Sequence, residues 1–167
     1  MDANALADWE LRLAELWKQL DRVEADDFVA CMEALTTELP AGHPIGLFER
    51  GSAHDSTGSP ELAVPLYRAA LAAGVTGLRR RRATIQLASS LRNLGEAEEA
   101  VALLSSELLM GSDELDGAVR GFLALALTQL GRERQAVSHS LTALAQYLPR
   151  YNRSLARYAE DLLVEVE

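Results

Sequence analysis

A chain of 167 residues is long enough to bury a sizeable core, and an apolar content of 49% excludes a disordered chain. Aromatic residues are only 5%, with Ala and Leu dominant, which favours close-packed helices over strands. The formal charge of −9 repels nucleic acid and anionic membranes at long range, and the longest purely apolar run, Phe122 to Leu127, cannot span a bilayer.

The opening residues, MDANALADWE, are acidic and show no basic stretch followed by an apolar one, so no secretory signal is expected. Cys31 is alone and cannot form an internal disulfide; a cytoplasmic protein is expected. Leu6, Trp9, Leu13, Leu16, Trp17 and Leu20 form one helical stripe. Phe28, Met32, Leu35 and Leu39 form a second, entered through Asp26-Asp27 and ended by Pro40. Residues 1–40 therefore read as a helical hairpin, which could be a worn repeat.

Three related stretches follow: HDSTGSPELAV at 54–64, LRNLGEAEEAV at 91–101 and LTQLGRERQAV at 127–137. Each has a Gly, four mostly polar residues, then Ala-Val. Helical stripes flank each Gly. Ile85, Ala88, Leu91 and Leu94 precede Gly95, and Ala97, Ala100, Val101, Leu104 and Leu108 follow it. A Gly between two helices takes the left-handed conformation without steric penalty. Ser59-Pro60 reads as an N-cap with proline at the first helical position, and Glu96, Glu98 and Glu99 suit the positive end of a helix dipole. The unit is helix, short turn, helix.

A near-constant period of such units resembles the tetratricopeptide repeat. Aligned on the turn glycines, the small residue of the first helix falls on Gly51, Ala88 and Ala124, and the Ala of the second helix on Ala63, Ala100 and Ala136. The large residue is Tyr67 and Leu104 but Ser140 in the third unit; the next small residue is Ala70 and Ala143 but Glu107 in the middle one. The resemblance implies an all-α fold, a right-handed α-α superhelix: a solenoid of antiparallel pairs with about nine helices. We expect one domain over residues 1–167, with repeats at 44–77, 81–114 and 117–150 and a capping helix at 152–166. Leu155, Tyr158, Ala159, Leu162, Leu163 and Val166 form the cap's stripe, Asn152 or Ser154 caps it, and a second copy could dock there to form a homodimer.

Chemistry finds little support. Ser52, His54 and Asp55 are adjacent, yet a single helix does not bring base to nucleophile. His43, His54, His139 and Cys31 never fall at ligand spacings, so neither metal nor cofactor is expected, and the chain reads as no enzyme. Arg79-Arg80-Arg81-Arg82 opposes the dipole at a helix start. Its expected partner is the acidic cluster Asp113-Glu114-Asp116; the alternative is an anionic ligand, which would make this a regulatory or nucleic-acid-associated protein. Replacing Arg79, Arg80 and Arg81 by Gln is expected to change melting little.

The resemblance also implies a concave groove, lined by the first helices, that binds a peptide or helix of a partner protein. Its positions carry over to Phe48, Ser52 and Asp55; to Arg82, Ile85, Ser89, Arg92 and Asn93; and to Leu125, Thr128 and Gln129, with Gly121 making room. The third unit supplies no cation there, so the carboxylate clamp of the chaperone-binding members is incomplete.

Overall fold

The computed structural model describes residues 2–164. Among them are nine helices and no strand. The chain divides into two compact units, residues 1–86 and 87–167.

The first unit holds α1 (Ala3–Trp17), α2 (Ala25–Thr36), α3 (Pro44–Ser56), α4 (Pro60–Ala72) and the start of α5 (Gly77–Asn93). Asp2 caps α1, accepting from the Ala5 N–H at 2.8 Å. Pro44 and Pro60 open α3 and α4, where a missing N–H costs nothing. The two stripes read for residues 1–40 do meet: Trp9, Leu13, Phe28, Met32, Leu35 and Leu39 form one buried cluster. The Trp9 indole donates to the Leu35 carbonyl at 2.9 Å, so its polar atom is satisfied inside that core.

The second unit holds the rest of α5, α6 (Ala97–Glu107), α7 (Asp116–Gln129), α8 (Glu133–Ala145) and α9 (Asn152–Asp161). Consecutive helices pack on one another from α6 to α9. Small side chains dominate the interior; Ala100, Leu104, Val119, Leu123 and Ala126 are all at most 1% exposed.

The recurring stretch is one turn built three times. Gly58, Gly95 and Gly131 have φ of 87°, 91° and 68°, the left-handed region. The amide after each glycine reaches back five residues: Ser59 to His54, Glu96 to Leu91 and Arg132 to Leu127, all at 2.9 Å. Each glycine amide reaches back three, to Asp55, Arg92 and Thr128, all at 3.1 Å. These two bonds are the Schellman pair that satisfies the last carbonyls of a helix. The small positions behave as expected. A Cβ on Gly51 would meet the Tyr67 ring at 3.0 Å, and Ala63, Ala88 and Ala100 are fully buried. Ser140 is exposed, so its hydroxyl in place of a large apolar residue leaves no hole.

Three local expectations change. Ser59 stands at the start of α4, yet its side chain caps nothing. The N-cap of α9 is Tyr151, in the left-handed region at φ 67°, rather than Asn152 or Ser154. In α9, Ala159 is buried but Tyr158 and Leu163 are exposed, and the helix ends at Asp161. Tyr158 and Leu163 lie at the flanks of the Leu155–Ala159–Leu162 line, beyond the width that α9 buries. Val166 lies outside the described residues.

Candidate partner-binding surfaces

In the first unit two arginines of α5, Arg79 and Arg82, meet side chains of α3. Arg79 forks onto Glu10 of α1, with contacts of 3.0 and 2.6 Å, while its Nε donates to Glu49 of α3 at 2.9 Å. Glu49 is only 1% exposed. Its other oxygen accepts from the Trp17 indole at 3.0 Å. Burial alone would lower the Arg79 pKa, but hydrogen bonds and the charges of Glu10 and Glu49 outweigh it and hold the guanidinium above its ordinary value. The partners expected for the arginine run lay downstream; those of Arg79 lie upstream, in α1 and α3.

Arg82 is exposed and stacks over the buried Phe48 ring, 5.1 Å from its centroid. Phe48 also sits 6.2 Å from the Tyr67 ring. A cavity of about 280 Å³ adjoins this pair, walled by Leu13, Ala14 and Trp17 of α1, Glu49 of α3 and both arginines. Beneath it the Tyr67 hydroxyl donates to Asp55 at 3.3 Å and lies 3.5 Å from Ser52. Ser52 in turn donates to Gln86 at 3.4 Å. Burial, then the Asp55 charge, pushes the Tyr67 phenol far above its usual pKa, so this hydroxyl remains a neutral structural donor.

Of the groove positions in this unit, Arg82 is exposed and Asp55 half-buried, whereas Phe48, Ser52 and Ile85 are buried. The last three support the face from below and present no surface to a partner. Their apolar or hydrogen-bonded surroundings explain the difference: helical spacing puts them on the inner edge of the stripe. His54 lies 4.0 Å from Glu33 and does not orient Ser52.

In the second unit Ser89 and Arg92 are half-buried, and Asn93, Leu125, Thr128 and Gln129 are exposed. Arg92 donates to Asn93 at 2.7 Å, so the pair is held together. Thr128 turns its hydroxyl back to the Ala124 carbonyl at 2.9 Å. Among the described residues no hydrogen bond joins Arg92 or Asn93 to Gln129. A Cβ at Gly121 would meet nothing within 4 Å, which leaves that place on α7 open. His139 is half-buried beside Arg120, 3.4 Å away; burial, then the neighbouring cation, lowers its pKa.

The Glu10–Arg79–Glu49–Trp17 network escaped the sequence reading. Its partners stand 69, 30 and 32 residues apart, and no local pattern marks such pairs.

Among the described residues, no helix is long and apolar enough to cross a membrane. No curated protein and no solved structure matches the chain. A family model described as tetratricopeptide repeat does match, over residues 44–162. That span takes in all three glycine turns and seven of the nine described helices, α3 to α9. With its repeated turns, its small-residue contacts and this match, the chain belongs to the tetratricopeptide-repeat family, whose members typically bind other proteins.

Proposed function

We propose that this protein is a non-catalytic interaction module that holds a peptide or helical segment of another protein on the faces of its first helices. The observation that carries the reading is Arg82, an exposed cation fixed over Phe48 beside a cavity of about 280 Å³ lined by Leu13, Ala14 and Trp17 together with the charged Glu10, Glu49 and Arg79. The charge of Arg79 is neutralised by Glu10 and Glu49. The Arg82 guanidinium remains available to a carboxylate or carbonyl, while Leu13, Ala14 and Trp17 take an apolar side chain. An amphipathic segment with an acidic residue next to an apolar one fits both. In the second unit, Arg92, Asn93, Leu125 and Gln129 offer a similar mixture of polar and apolar groups. An isolated groove of this size supports micromolar affinity, about −8 kcal/mol.

The anion-binding alternative loses ground because Arg79 is already neutralised by two carboxylates. Catalysis ranks third: Ser52 and Asp55 share Tyr67 as a neighbour, and His54 stands apart from them. We assign the protein to the cytoplasm, where an exposed lone thiol such as Cys31 stays reduced. The test is capture of partner from the native extract by wild type and by Arg82→Ala, beside their melting curves. The reading expects unchanged melting and at least about tenfold weaker capture; unchanged capture removes Arg82 from the binding face.

A further inference from the structure

Exposed charges of mainly one sign, without ion pairs, gather at two places among the described residues. Residues 147–158 hold Arg150, Arg153 and Arg157, with the first carboxylates, Glu160 and Asp161, only at the end of α9. Among the described residues none of the three forms an ion pair, and Arg157 instead stacks on Tyr158, 5.0 Å from its centroid. Tyr147, Tyr151 and Tyr158 are 70%, 78% and 56% exposed. Tyr151 is also the one non-glycine residue at positive φ among those described. That conformation is costly for a bulky side chain, and glycine would adopt it freely. An outward-pointing ring kept at a strained position marks a surface built for contact. Beside it, between α8 and α9, lies a cavity of about 290 Å³ lined by Thr142, Ala145, Gln146, Asn152, Arg153 and Ala156. Tyrosine and arginine around an apolar recess are the composition of binding hot spots.

The complement exists on the same chain. In the α1–α2 connection and the first turn of α2, Asp21, Glu24, Asp26 and Asp27 are exposed, and none forms an ion pair among the described residues. Val23, 43% exposed, stands at their centre, with Arg22 the single cation of the stretch. The first 40 residues carry ten carboxylates against three cations, so much of the negative charge of the chain lies at this end. We propose that the arginine–tyrosine face of one copy receives the 21–27 segment of a second copy. Val23 enters the α8–α9 cavity, and its flanking carboxylates meet Arg153 and Arg157. The contact is heterologous, joining two different surfaces, so copies add head to tail and mass grows past a dimer unless the rotation closes a ring. This site is separate from the proposed groove, and purified protein alone suffices to test it.

The experiment is sedimentation across protein concentration at low and high salt. Wild type is expected to associate with Kd in about the 10–100 µM range, weakening as salt rises. Arg153→Glu/Arg157→Glu in one preparation, and Asp21→Arg/Glu24→Arg in another, should each raise Kd at least about tenfold, because like charges then oppose. Mixing the two preparations restores opposite charges and should restore association. Tyr151→Gly should melt no lower than wild type yet associate more weakly; a purely structural tyrosine would leave association unchanged. The proposal is overturned if wild type sediments as a monomer throughout, if the charge reversals leave association intact, or if the mixture fails to reassociate. Stronger capture of a labelled oligothymidylate than of a second copy would reassign the face to single-stranded nucleic acid.

Discussion

The two units contain the same turn and fill their interiors differently. The first buries Trp9, Phe28, Phe48 and Tyr67 completely and closes over a carboxylate, Glu49, held by Trp17 and Arg79. In the second, none of the described aromatic side chains is buried: Phe122 is half-buried, and Tyr147, Tyr151 and Tyr158 lie outside. Its helices meet instead through alanines such as Ala100, Ala126 and Ala136. Each unit buries a glutamate, Glu49 in the first and Glu107 in the second, so the two kinds of core differ in their apolar filling, large rings in one and small residues at close approach in the other. The first should be sensitive to loss of a partner, the second to gain of volume.

The largest effect should come from adding volume and charge to the second core. Ala100 is fully buried, so Ala100→Arg overpacks at about 1–3 kcal/mol and adds an unpaired buried charge. Since a domain of this kind is stable by only about 5–15 kcal/mol, chemical denaturation should show a severely weakened or unfolded variant. A midpoint equal to wild type would mean the second repeat is misaligned.

Next is loss of a partner in the first core. Arg79→Gln leaves Glu49 buried with only the Trp17 donor, and breaking a buried pair from one side costs about 3 kcal/mol. This reverses the expectation that the arginine run contributes little to melting. The double variant Arg79→Gln/Glu49→Gln should recover much of the loss in denaturant titrations, because the stranded charge is gone. No recovery would mean that Arg79 acts through Glu10 instead.

The smallest effect is a pH dependence in the second unit. The His139 pKa is lowered by burial and by Arg120, so the folded state prefers the neutral ring. The unfolded chain therefore binds the proton more readily, and this contribution is present above the unfolded value of about 6.5 and is lost as pH falls through the folded value. His139→Gln should flatten the wild-type decline in stability below about pH 6.5. Parallel pH curves for the two proteins would show that another group causes the decline.

What was legible in the sequence was what is local. Helix periodicity, the glycine turns and the small positions at Gly51, Ala88 and Ala100 depend on residues within a few positions or on one facing helix, and each appears where expected. The role of Arg79 was not legible, because it depends on Glu10, 69 residues away, reaching the same place as Glu49. Nor was the strained Tyr151: nothing near it marks the position as left-handed, and asparagine and serine nearby suggested a conventional cap. Groove positions were legible as a face but not in depth. The family resemblance places Phe48, Ser52 and Arg82 on one face; only packing separates the buried pair from the exposed arginine.

The central claim is that partner proteins are held on the first-helix face at Arg82 and not on the second-helix side of the repeats. A photoreactive phenylalanine analogue tests it when installed singly at Leu78, one turn before Arg82 on α5 and 46% exposed, so that Arg82 itself is kept, and, for comparison, at Leu62 of α4, which is 50% exposed. After irradiation in native extract, the position-78 variant should yield a discrete covalent adduct with a partner protein, and the position-62 variant should not. An adduct at 62 with none at 78, in variants that melt like wild type, would contradict the account.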